Sequence, residues 1–175
     1  MNPAIADRFS KLAEADKAGQ SAYARHLGEA LLAIDPGHVL ALLIVADQLI
    51  VHSQYEKASQ IFDRLEAIAL PEKKRYRLLV LRGELLEKRG DYAGALSEFV
   101  KAHELRPALA SPLIYASSCA FQNGDLEQAL DLACRASACP EGCIDEALFN
   151  QGGYLVALKR YEEARPCYVQ SLAMD

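Results

Sequence analysis

Three thiols crowd one short stretch of this chain. The segment CRASACPEGCIDEA, residues 134–147, places Cys134, Cys139 and Cys143 around a Pro-Glu-Gly turn. Thiols at this density mean a metal site, a disulfide or packing. A structural zinc site needs four converging ligands, usually including C-x2-C or H-x3–5-H pairs. Here the spacing is C-x4-C-x3-C with no histidine following, so no metal is expected. A Cys134–Cys139 or Cys139–Cys143 disulfide is sterically conceivable, but a reducing compartment disfavours it. The chain has five cysteines, an odd number.

Other chemistry is thinner. His26, His38, His52 and His103 are scattered and have no partner at a spacing suited to acid–base work. The segment NQGGYL, residues 150–155, has adjacent glycines but no Lys-Ser/Thr behind them to hold a phosphate. The run PEKKRYR, residues 71–77, gathers Lys73, Lys74, Arg75 and Arg77 and reads as a solvated loop entering a helix, or as a local site for an acidic partner. No nucleophile, base and orienting group stand together, so neither an enzyme nor a cofactor is expected.

Stepping from single residues to the elements that carry them, the 175-residue chain has a net charge of −5, which provides no field for nucleic acid or an anionic membrane. The N-terminal MNPAIADRFSKLAEADK has no long apolar run and carries acids early, unlike a secretory signal. The apolar run VLALLIVADQLIV is broken by Asp47 and Gln48 and is too short to span a membrane. A cytoplasmic protein is expected. Apolar residues recur at helical spacing, as in Leu78, Leu81, Leu85 and Leu86, and RGD, NGD and DPGH cut the pattern into short helices.

Those pieces repeat. Gly90 and Gly124 lie 34 residues apart, as do Asp91 and Asp125, Ala95 and Ala129, and Ala102 and Ala136. Extending the register gives copies at about 5–38, 39–75, 76–109, 110–144 and 145–175, which make one domain over 1–175. A fixed period of this length signals a solenoid of stacked helix pairs. The third copy reads Leu79, Gly83, Leu86, Ala95, Phe99, Ala102, Pro107, and the fifth reads Leu148, Gly152, Leu155, Ala164, Tyr168, Ser171. In these residues the chain resembles the tetratricopeptide repeat family. Gly83 and Ala95 fall where two helices of a pair approach closely, and Leu79, Leu86 and Phe99 surround that contact. Pro166 lies inside the last helix, which is expected to start late or bend there. In the same register Cys139 shares a column with Ile34, Ile68, Leu105 and Met174 and reads as an inward packing residue, as does Cys119 beside Leu85 and Tyr154. Cys143 is left without a repeat-based explanation.

The resemblance implies an all-α, right-handed superhelical solenoid of five repeats whose first helices line a concave groove. In that family the second, fifth, ninth and twelfth residues of a repeat usually face the ligand. Carried over, the fifth residues are Phe9, Leu43, Val80, Ile114 and Phe149; Asp47 and Glu84 are ninth, and Ile50, Glu87 and Phe121 are twelfth. All five fifth residues are apolar, and they either contact a ligand or pack against neighbouring first helices. The Lys–Asn pair by which one subgroup of the family clamps C-terminal carboxylates is absent, and Asp47, Glu84 and Glu87 would repel such a group. The expected partner is another protein, presenting a peptide or amphipathic helix with apolar anchors and some positive charge. The expected role is a non-catalytic scaffold or adaptor. The alternatives are a chaperone for secreted proteins, a role small members of the family fill, and a thiol-based redox- or metal-responsive protein using Cys134, Cys139 and Cys143. No polar capping helix follows the last repeat, so an uncovered side around Tyr168, Leu172 and Met174 is expected to pair with another copy or to be covered by further chain.

Overall fold

A helix pair needs a sharp reversal, and among the described residues one backbone feature makes it inside every odd–even pair. The computed structural model describes residues 3–174, with side chains from Asp7 onward. The first repeat's starting residue Ile5 and the final Asp175 therefore lie outside the described side chains. Among the described residues there are ten helices: α1 (Pro3–Lys17), α2 (Ser21–Leu32), α3 (Val39–Val51), α4 (Tyr55–Glu66), α5 (Glu72–Lys88), α6 (Tyr92–Leu105), α7 (Ser111–Gln122), α8 (Leu126–Ser137), α9 (Ile144–Ala157) and α10 (Tyr161–Leu172). Between the members of each odd–even pair sits one residue with positive φ: Gly19 at 66°, Ser53 at 58°, Gly90 at 79°, Gly124 at 86° and Lys159 at 62°. All occupy one column of the repeat register. The next residue donates its N–H back to the end of the preceding helix, as Asp91 does to Leu86 O at 2.9 Å and Asp125 to Ala120 O at 3.0 Å. This is the left-handed C-terminal closure that satisfies otherwise orphaned carbonyls.

Glycine enters that conformation freely, whereas an L side chain pays about 1–2 kcal/mol. Ser53→Gly and Lys159→Gly are therefore each expected to stabilise the protein by up to about 1 kcal/mol, read as a higher urea midpoint with unchanged slope. The residue after the turn begins the next helix. Asp91 accepts from Gly94 N–H at 2.9 Å and Asp125 from Gln128 N–H at 3.0 Å, so RGD and NGD are each a left-handed glycine followed by an N-cap.

The chain divides into two compact units, Met1–Leu81 and Arg82–Asp175. In the first, Leu12, Ala15, Ala24, Leu31, Ala41 and Ile44 form a core flanked by Phe9 and Leu27. The apolar run of the sequence is α3, whose residues 41–46 are all buried. No helix among the described residues is long and apolar enough to cross a membrane. His38 caps α3, its Nδ1 accepting from Ala41 N–H at 3.2 Å, and burial holds its pKa below the usual value, so the ring stays neutral and keeps that acceptor.

In the second unit the small columns do what the sequence requires of them. A Cβ added to Gly83 would lie 2.6 Å from the Phe99 ring, and one added to Gly152 would lie 2.9 Å from the Tyr168 ring. Ala95, Ala102, Ala129, Ala133 and Ala136 are completely buried. The large ring of a second helix thus packs against a bare stretch of first-helix backbone.

Three local expectations need correction. The basic run 71–77 is no loop: α5 begins at Glu72, and Pro71 supplies the carbonyl that accepts from Lys74 and Arg75 N–H at 2.9 and 3.0 Å. Helix α10 does not start late. It runs from Tyr161 through Pro166, which leaves the carbonyl of Glu162 without its helical donor. Glu162 is exposed, so water can take that place. Pro166→Ala is accordingly expected to raise stability by about 1–3 kcal/mol, checked by the same urea titration. The column of Cys139 is not inward: Ile34 is 46% and Met174 56% exposed, and Cys139 itself is half-buried. The segment 139–142 instead joins two loops. Ala110 N–H donates to Glu141 O at 2.8 Å, Glu141 N–H to Ala108 O at 3.1 Å, and the Cys139 thiol lies 3.8 Å from Pro107 O. Gly142 has a φ of 109°, and a Cβ added there would lie 3.3 Å from Ala110 N, so a side chain would be both strained and tight.

Candidate partner-binding surface

The residues singled out in the sequence separate into interior and surface. Within Met1–Leu81, Leu43 is fully buried and Ile50 only 5% exposed, so both belong to the core. Phe9 and Val80 are half-buried, and the Phe9 ring stacks on His38 at 4.3 Å. Asp47 is also half-buried. Burial pushes its carboxyl pKa up, while the Arg77 guanidinium opposes that shift and Asp16 adds to it. Arg77 is held by Asp16 in a two-pronged ion pair of 2.6 and 2.9 Å that ties α5 to α1. Sequence reading had placed Arg77 with the basic run. The signal that could have found it is its place as the second residue of its repeat, a position the resemblance assigns to the groove.

Within Arg82–Asp175 the apolar positions are more open. Ile114 is interior at 3% exposure, but Phe121 is 42%, Val156 42% and Phe149 59% exposed. Phe121 comes from the last turn of α7 and stacks on Tyr154 of α9, with ring centres 5.3 Å apart and planes 28° from parallel. Tyr154 is itself pinned: its hydroxyl lies 3.2 Å from Ser117 Oγ, and that hydroxyl donates to Ile114 O at 2.7 Å. Burial pushes the Tyr154 pKa up, so it stays a neutral partner. Phe149 meets Tyr168 of α10 edge-on at 5.5 Å. Both exposed phenylalanines are therefore held by a second ring. Glu84, Glu87, Ser118 and Gly153 are half-buried. Glu87 is near enough to the Cys119 thiol to raise its pKa, which adds negative potential beside α7.

The thiols do not converge with other ligands. Among the described residues no three of His, Cys, Asp and Glu are placed to hold a metal ion. Burial pushes Cys119 up to about 12 and raises Cys134, Cys139 and Cys167 as well. Cys143, at the N-terminus of α9, is exposed. Since the thiolate is the reacting form, labelling with a disulfide reagent at mild alkaline pH is expected to modify Cys143 first and Cys119 only on unfolding. Peptide mapping of timed samples checks that order.

The sequence profile of the tetratricopeptide repeat matches residues 145–175. No curated protein matches the chain in sequence. Among solved structures, the fold is similar to that of YrrB, described as a TPR protein with an unusual peptide-binding site, at a TM-score of 0.68 and 18% identity over 96% of this chain and 84% of that one. It is also similar to MamA from residue 41 onward of Desulfovibrio magneticus RS-1, at a TM-score of 0.77 and 16% identity over 99% and 96%. MamA of MSR-1 gives a TM-score of 0.75 at 17% identity over 98% and 96%.

Proposed function

This chain carries a tetratricopeptide repeat at residues 145–175 and has the fold of solved tetratricopeptide-repeat proteins, and on that premise we propose that it is a non-catalytic protein-interaction scaffold of the cytoplasm. Its partner is a peptide or amphipathic helix that brings apolar side chains and some positive charge. The observation that carries this reading is the pair Phe121 and Tyr154: an exposed ring fixed in place by a buried, hydrogen-bonded one. A partner side chain meeting such a ring gains contact area without having to order it first. Val156 and Glu87 extend the same reading, one with apolar surface and the other with negative charge. YrrB's peptide-binding site on a similar fold supports a peptide as the occupant.

The test begins with capture of a partner from the source cells, followed by synthesis of its bound segment and titration against purified protein. Phe121→Asp should lose binding with helicity unchanged, whereas Tyr23→Asp, in exposed surface on α2, should bind as the wild type does. Equal affinity of all three proteins would move the site away from α7 and α9 and overturn the proposal.

A further inference from the structure

Two thiols of the second unit face one crevice. Cys134 of α8 and Cys167 of α10 both line a cleft of about 460 Å³ between these helices, floored by Leu148, Gln151 and Leu155 of α9. Cys134 is half-buried and Cys167 only 7% exposed. They are close enough that charge on Cys167 raises the Cys134 pKa. In the repeat register the same two columns hold Val100 of α6 and Leu132 of α8, Asp63 and Glu98, and Glu29 and Ile61. Packing at these columns is thus met one repeat earlier by branched apolar side chains, and sulfur fills both columns at this junction alone.

The setting selects what such a pair can hold. Among the described residues no third His, Cys, Asp or Glu is placed to complete a three-ligand metal site. Zinc in a structural site takes four ligands, and calcium and magnesium take oxygen, so neither kind is served here. A soft d10 ion is different, because Cu(I) prefers thiolate sulfur and is satisfied by two sulfurs in a line. A sulfur–copper–sulfur bridge also spans a wider gap than a disulfide, which needs Cα atoms within about 7 Å. That suits helices that each pack on α9 with a cleft between them. Charge fits as well. Two thiolates and one Cu(I) leave a single negative charge, and the guanidinium of Arg160, held by Glu163 at 2.7 and 2.8 Å, acts to lower the Cys134 pKa. Asp131 acts the other way, and its carboxylate lies 3.6 Å from Arg135. Leu130, Leu148, Leu155 and Pro166 form the apolar wall, which limits access for water and competing thiols.

We propose that Cys134 and Cys167 form a two-coordinate Cu(I) site that bridges α8 and α10. Binding exchanges two S–H bonds for two S–Cu bonds and releases both protons to water, and copper keeps its oxidation state. Since the ligands must lose their protons, loading weakens as pH falls. The bound ion joins α10 directly to α8, whereas packing joins each of them to α9. Binding to the folded chain therefore stabilises it.

Titration of the whole reduced chain with Cu(I) under anaerobic conditions, in competition with the coloured chelator bicinchoninate, tests this. The wild type should withhold a single equivalent from the chelator, and its urea midpoint should rise on loading. Cys134→Val, which installs the residue α6 carries at that column, and Cys167→Ala should withhold none at the same chelator concentration and show no rise. Circular dichroism and a urea titration of each copper-free variant establish that it is folded, and Cys134, being half-buried, tolerates the change more readily than Cys167. The double variant Cys139→Ser, Cys143→Ser should match the wild type. A wild type that withholds no copper would overturn the proposal. So would copper retained by a folded Cys134→Val variant, or copper lost from the double variant.

Discussion

Phe99→Ala is expected to cost about 3–5 kcal/mol of unfolding free energy, the range for removing a fully buried aromatic side chain. Phe99 has no exposed surface. Its ring fills the space over Gly83, where even a single added methyl would overlap it, and it lies 5.3 Å from the ring of Tyr115. Truncation leaves a cavity bounded by helical backbone on one side, and backbone cannot relax inward as a flexible side chain would. Because single domains are stable by only about 5–15 kcal/mol, this one change could remove much of the stability of the unit that contains it. Phe99→Leu should be milder, and Gly83→Ala should also destabilise, by about 1–3 kcal/mol, through overpacking rather than a void. Urea titrations followed at 222 nm would measure all three. A loss below about 1 kcal/mol for Phe99→Ala would show that the cavity closes around the missing ring.

Phe121→Asp is expected to weaken binding of the partner segment by at least about 2 kcal/mol, roughly thirtyfold in Kd, as for an aromatic anchor at the centre of an interface. The ring is 42% exposed, so its removal touches stability only through the stack with Tyr154, worth about 0.5–1.5 kcal/mol. Binding and stability should thus separate: a large change in Kd beside a small shift in the unfolding midpoint. Phe121→Leu keeps apolar area but loses the flat face and should fall between. A Kd for Phe121→Asp within threefold of the wild type would remove Phe121 from the site.

Helices and their pairing were legible because they rest on local rules. Gly90-Asp91 and Gly124-Asp125 announce a left-handed closure and an N-cap, and a 34-residue period then carries that reading to Ser53 and Lys159, where the residue type alone would not have suggested positive φ. Helix boundaries were less legible where a charged run hid a helix start, as at Glu72, or where a proline was expected to delay one, as at Pro166. Proline at that point removes a hydrogen bond from an exposed carbonyl, and packing of Ala164 and Cys167 on the rest of the unit holds the helix together. The candidate site was only half legible. Column arithmetic puts Leu43 and Ile114 beside Phe149, yet whether a column is open depends on how closely the neighbouring first helix approaches, a tertiary fact. The structure buries Leu43 and Ile114 and leaves Phe149 exposed. The cysteine cluster was the reverse case. Its spacing invited a reading as chemistry, and its visible role is a pair of backbone bonds between loops.

The Asp16–Arg77 fork has a consequence for how the chain is made. Most helix packing joins immediate neighbours in sequence, such as α1 with α2, α2 with α3 and α3 with α4, and such short-range contacts form early and fast. Asp16 must wait for a residue 61 positions further along. During synthesis the first four helices can therefore assemble while Asp16 still faces water, and the guanidinium arrives as a latch once α5 has left the ribosome. The ion pair reports completion of that unit, not its beginning, and a nascent chain stalled before Arg77 would carry every packed pair of α1–α4 but not that last fastening.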